Sequence, residues 1–269
     1  MSVQATTMAG GEVAPGISVN AVPFDQPWEW LAAGWRDLWA HPAASLSYGA
    51  AFALIAALMA WATTQAGIQS LVLALFGGFL LVGPLVAVGL YDISRRIAAG
   101  KPVSLGSSLS SVAHPKGNLW FMGVVLFLIF VVWMQIAFLL FMLFTGGRGF
   151  PPPSEFVHML LFTSHGLGLL LVGTAAGALL ALVTFAVSAV SVPLLVVKDV
   201  DVATAMRTSL RAVEVNPKAM LLWAALITGF VALGVLTLCV GLVLAFPLVG
   251  HATWHAFSDL VTIDGKTPE

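Results

Sequence analysis

The chain has 269 residues, of which 59% are hydrophobic and 9% charged, with a net charge of -1. Soluble domains carry about 25% charged residues, so a soluble fold of this length is excluded. Several apolar runs reach the roughly 18 to 20 residues that cross a bilayer of about 30 Å, and the short alternating segments of a membrane barrel are missing, which leaves an all-α polytopic membrane protein.

Residues 1-23 have neither a basic n-region nor an apolar core, and read as a disordered tail rather than a signal peptide. From Asp25 to Trp39 the sequence DQPWEWLAAGWRDLW predicts a helix opened by Pro27, with Trp28, Leu31, Trp35, Leu38 and Trp39 on one face. Tryptophan settles at headgroup level because its ring is apolar and its N–H wants a partner, so Trp28, Trp35 and Trp39 are expected to anchor an interfacial helix. His41-Pro42 then introduces a first span, about 43-65, and a polar turn leads to a second, about 71-91, with Pro84 inside it. A weaker interfacial segment, LGSSLSSVA, precedes His114-Pro115 and a third span, about 119-144, bearing Gln135.

The stretch TGGRGFPPPSEFVH reads as a wet loop, its three prolines Pro151 to Pro153 favouring an extended turn over a helix. A fourth span, about 167-197, carries Gly173, Gly177, Ala181, Thr184, Ser188 and Ser191 every three or four residues, a stripe that lets another helix approach closely. The segment from Lys198 to Glu214 is amphipathic: Val202, Met206, Leu210 and Val213 fall on one face and Arg207, Arg211 and Glu214 on the other, as in a helix anchored at the interface by Arg207 and Arg211. Two more spans follow, about 218-238 and 241-257, joined tightly near Cys239, and residues 261-269 form a polar tail.

Three joins resemble one another: His41-Pro42, His114-Pro115 and Asn216-Pro217 each stand between an interfacial segment and a span. Three prolines, in Pro84-Leu85-Val86, Pro193-Leu194-Leu195 and Pro247-Leu248-Val249, sit in the second span of each pair. The membrane domain, 24-260, is therefore expected to be six transmembrane helices arranged as three repeats of interfacial helix and hairpin, at 24-96, 103-197 and 201-259. Of the eleven Lys and Arg, ten fall on the side shared by both termini and Arg148 alone falls opposite. By the positive-inside rule both termini are expected in the cytoplasm.

No Asp, Glu, Lys or Arg lies mid-span, which argues against an ion-coupled pump. His251 and His255 share a helical face at a spacing that metal-binding helices use, which makes them candidate metal or haem ligands; the bland alternative is hydrogen bonding at the interface. His158 and His165 with Glu155 read as solvated loop residues. A single cysteine, Cys239, excludes an intrachain disulfide and a Cys-rich metal site, and no nucleophile triad, nucleotide loop or CxxC is found.

Four pieces carry a family resemblance: AAGWRDLW at 32-39, GLYDISRR at 89-96, FAVSAVSVP at 185-193 and GHATWHAFSDL at 250-260. With them the chain resembles a bacterial family of multi-span inner-membrane proteins, a domain of unknown function sometimes labelled a cytochrome c oxidase subunit; Asp92 and Phe257 stand where Glu and Tyr are more usual. The resemblance implies a six-span inner-membrane protein and transfers no catalytic residues. Two histidines on one helix fall short of the ligand set of a haem and copper subunit. The expectation is a non-enzymatic scaffold or accessory factor without a cofactor, with the bilayer and other inner-membrane proteins as partners and no nucleic acid; a conduit or carrier for a neutral or lipidic molecule is the alternative.

Overall fold

The computed structural model describes residues 9-103, 106, 117-146 and 151-268. Its described elements are strands β1 (Ala9–Ala14) and β2 (Ile17–Asn20), then helices α1 (Gln26–Ala40), α2 (Pro42–Gln65), α3 (Val72–Val86) and α4 (Val88–Ala98). Next come α5 (Leu119–Thr145), α6 (Pro153–Phe162), α7 (Ser164–Ser188), α8 (Ser191–Val197), α9 (Val202–Val215), α10 (Pro217–Leu236), α11 (Leu242–Leu260) and strand β3 (Val261–Ile263). A single 3-10 turn, Gln69–Leu71, precedes α3.

Four of these helical stretches are long and apolar enough to cross a membrane: α2, α5, the pair α7 and α8 taken together, and α10. The second expected span is instead divided into α3 and α4 at Ala87, and α3 alone, at 15 residues, reaches only about 22 Å. The last expected span, α11, is long enough, but its second half is GHATWHAFSDL and is almost wholly enclosed by protein. Pro193 explains the break between α7 and α8, because its ring displaces the carbonyl four residues back, at Ala189. The amide of Val190 at that break donates to Ser209 Oγ at 3.1 Å.

Three expectations need correction. The tail expected to be disordered forms, from Ala9 to Asn20, a hairpin whose second strand pairs with β3, so the fold is not purely helical and the two ends of the chain share one antiparallel sheet. The reason is burial: Ile17 and Val19 sink beneath α9 and α11, and Gly16, at φ 70, makes the hairpin turn. The proline loop is not wholly extended either, for Pro153 begins α6, a position where the missing N–H costs nothing. Finally, α1 does not present one apolar face. Trp30, Leu31, Gly34 and Leu38 are buried, whereas Trp28, Trp35 and Trp39 point outward. Apart from residue 106, the interfacial segment at 105-113 and the join at His114-Pro115 lie outside the described residues.

Helix α11 is the axis of the molecule. α1, α2, α4 and α10 all pack against it, and α8 touches it as well. Glycines set the closeness: a Cβ on Gly34 would stand 2.6 Å from the Ala252 backbone nitrogen, and one on Gly49 would stand 2.2 Å from the Val243 carbonyl oxygen. On the other side α3 packs on α5, α5 on α7, and α9 on α7, α8 and the sheet. The buried face of α9 is Ala205, Thr208, Ser209 and Ala212, small residues that admit α8, while Leu210, Arg207 and Arg211 face outward. The joins at His41 (φ -136, ψ 66) and Asn216 (φ -123, ψ 49) have nearly the same backbone, each placing a proline at the first turn of the following helix.

Replacing Gly49 by Val should lower stability by about 1 to 3 kcal/mol, since the backbone of α11 leaves no room for a side chain. Gly83→Ala, where a Cβ meets open space, should be neutral. Thermal unfolding of both variants in the same detergent checks the pair.

Candidate functional site

The residues with chemistry to offer meet around the second half of α11. His251 is fully buried, and its ring lies between two fully buried serines: Ser45, in the first turn of α2, is 2.9 Å from Nε2, and Ser94, in α4, is 2.8 Å from Nδ1. Asp37 Oδ2, on α1, is 2.8 Å from His255 Nε2, one turn beyond His251, and the Ser94 hydroxyl lies beside the same carboxylate and helps to lower its pKa. A carboxylate can only accept, so His255 Nε2–H donates to Asp37. At His251 one ring nitrogen donates to its serine and the other accepts from its serine. Five side chains from four helices are thereby joined, with both ring nitrogens of His251 used.

Three further polar ties surround this chain. Asp92, buried at the middle of α4, accepts from Arg95 Nη2 at 2.7 Å and Arg96 Nε at 2.6 Å. Asp259 accepts from Trp30 Nε1 at 2.8 Å and Gln26 Nε2 at 2.9 Å, holding the start of α1 against the end of α11. Asn216, at the α9–α10 join, accepts from the Val22 amide at 2.8 Å and donates to the Asn20 carbonyl at 2.9 Å, fixing the strand that leads into α1. Burial raises the carboxyls of Asp37 and Asp92, but donors outweigh it. His255 and Ser94 hold Asp37, and Arg96 and Arg95 hold Asp92, below the ordinary carboxylate range.

The expected metal pair is thus placed in a hydrogen-bond chain. His251 has no lone pair left over, and no group of three or more His, Cys, Asp or Glu suited to a metal ion occurs among the described residues. Three of the four sequence pieces that carry the family resemblance supply the chain: Asp37 from the first, Ser94 from the second, His251 and His255 from the last. Asp37, Ser45 and Ser94 were not singled out in the sequence. The signal available for Asp37 was a carboxylate near the C-terminal end of a tryptophan-rich helix, away from the first turn where Glu29 sits and an acidic side chain is favoured; the serines gave none, since serine is common in apolar spans.

A second feature lies apart from this chain. A cavity of about 870 Å³ opens between α3, α5, α7 and α10, lined by Ala74, Trp133, Gly173, Gly177, Thr228 and Gly229 among others. The small-residue stripe divides between it and the core. Gly173, Gly177 and Ala181 face the cavity, whereas Thr184, Ser188 and Ser191 are buried.

His251→Ala should cost about 2 to 4 kcal/mol, because it leaves two buried hydroxyls short of a partner and a void besides. The pH dependence follows from the depressed carboxyls. Their stabilisation is complete above the ordinary carboxylate range and is lost as pH falls through the lower folded values, so unfolding midpoints should be level above about pH 5 and fall below it. Asp37→Asn should flatten that fall, as measured by thermal melts across acid pH.

No curated protein and no solved structure matches the chain. Residues 71-197 match the family model described as Predicted integral membrane protein (DUF2189). That stretch runs from the turn before α3 to the end of α8 and includes Ser94, Asp92 and the cavity faces of α3, α5 and α7. Over those residues the chain is similar to a family of predicted integral membrane proteins whose shared domain has no known function.

Proposed function

We propose that this is a non-enzymatic protein of a bacterial inner membrane, a scaffold or accessory factor for a membrane complex, with a respiratory complex among the candidates. In this reading the chain crosses the membrane six times as three repeats, with both termini in the cytoplasm. The carrying observation is the destination of the polar chemistry. Among the described residues, the buried Asp and His side chains are all bonded to other side chains: Asp37 and His251 tie neighbouring helices together, and Asp92 is paired within α4. Meanwhile α5, the least buried of the candidate spans, presents Phe127, Leu128, Val132 and Leu139 outward, an apolar flank for lipid or a protein neighbour.

The repeat reading is supported by the matching backbone at His41 and Asn216, and by the meeting of α4, α8 and α11, which follow or contain the three prolines and touch one another. The orientation is supported by the terminal sheet, which brings β1, β2 and β3 to one place. The outward Trp28, Trp35 and Trp39 of α1, and Arg207 and Arg211 of α9, suit anchoring at a headgroup surface. A second reading, a carrier for a lipidic molecule, is favoured by the cavity, whose wall is almost entirely apolar.

Crosslinking in native membranes followed by mass spectrometry tests the scaffold reading. It should recover peptides of another membrane protein joined to the outward face of α5, and recovery of this chain alone would refute it. Orientation is checked separately: in a Cys239→Ser background, Lys266→Cys should react with an impermeant maleimide only after the cytoplasmic face is opened.

A further inference from the structure

The cavity differs from the rest of the helix packing in one respect. Where α2 meets α11, and where α3 meets α5, glycines are pressed against the neighbour: Gly49 against the Val243 carbonyl, and Gly78 against Phe130, whose ring would stand 2.4 Å from an added Cβ. Between α7 and α10 no such closure exists. Gly173 on α7 and Gly229 on α10 both line the cavity, and a Cβ on either would meet nothing within 4 Å. Gly173 and Gly229 make room there, whereas Gly177 is pressed against Trp133 of α5.

The chemistry of the wall is narrow. Its lining residues include no ionisable side chain. Trp133 Nε1 donates to the Ala74 carbonyl at 2.7 Å and the Thr228 hydroxyl to the Ala224 carbonyl at 2.8 Å, so these polar groups are satisfied within the chain. Ser70 is the contrast: it is 7% exposed, lies in the lining, and its hydroxyl has no partner among the described residues. It belongs to the 3-10 turn that packs on α6, and α6 contributes Phe156 and Leu160 to the same end of the wall.

The lining runs from Leu169 to Phe185 along α7, about 24 Å at 1.5 Å per residue. Along that length the wall is apolar, with one unpartnered hydroxyl, Ser70, at its α6 end. The volume falls within the roughly 300 to 1,000 Å³ of ligand sites. That pattern matches a hydrocarbon tail that ends in one polar group.

We propose that the cavity holds the acyl tail of a membrane phospholipid, which seals the seam between α7 and α10, with the first polar group of the lipid, its ester, accepting a hydrogen bond from Ser70. This goes beyond the scaffold reading and does not rest on it. A chain with a protein neighbour and an empty cavity, or a lipid-filled chain with no neighbour, would separate the two.

The test uses the full chain in nanodiscs of palmitoyl-oleoyl phosphatidylcholine doped with a phosphatidylcholine that carries a diazirine in one acyl tail. After illumination, peptide mapping should find adducts on the wall residues Trp133, Thr174 and Thr228 as well as on outward Leu128 and Leu139. Filling the space with Gly173→Phe, or separately with Ala225→Phe, should lower wall labelling about tenfold and leave the outward adducts unchanged. Adducts confined to outward positions in the native chain would overturn the proposal. So would wall labelling indifferent to either substitution, or a dimer crosslinked through the wall.

Discussion

Everything in the described half of the molecule around α11 depends on one imidazole held between two serines. His251 is fully buried, and a histidine so placed is tolerated only when both ring nitrogens have partners. Ser45 and Ser94 supply them from different helices, and Ser94 also stands beside Asp37, which accepts from His255. Hydrogen bonding, being directional, selects one arrangement of α1, α2, α4 and α11 where apolar packing alone would accept several. The glycines at 34 and 49 serve the same end, since they let α1 and α2 approach the α11 backbone closely enough for those short side chains to reach.

The two sides of the molecule are built differently. Around α11 there are tryptophans, hydrogen bonds and backbone contact, with Trp30 and Trp223 meeting edge to face at 5.7 Å. Around the cavity the wall is mostly leucine, alanine and glycine, and it leaves space. A helical protein in lipid has little hydrophobic force to close such a seam, because lipid tails are as apolar as its side chains. The open seam and the tight one are therefore separate solutions, and only the tight one carries polar specificity.

The helices were legible in the sequence because span length and hydropathy are one-dimensional properties. The first, third and fifth expected spans begin and end within about two residues of α2, α5 and α10. The division at Ala87 was not legible in detail, although Pro84 marked the place. Nor was the terminal sheet: Ile17 and Val19 are ordinary residues in a Gly- and Ala-rich tail, and what orders them is a strand some 240 residues away and the face of α9. Of the site, His251 and His255 stood out by spacing, yet spacing cannot tell a metal-binding pair from a hydrogen-bonded one. That distinction required Ser45, Ser94 and Asp37, which long-range folding alone brings to the ring.

The central claim is that these side chains act as a coupled unit, and a double-mutant cycle between Ser94 and His255 measures this most directly. The two residues do not touch in the chain of bonds but share Asp37. Unfolding free energies of Ser94→Ala, His255→Ala and the double variant should depart from additivity by about 0.5 to 3 kcal/mol. Additive effects would show that Asp37 transmits nothing between them and would contradict the coupled unit.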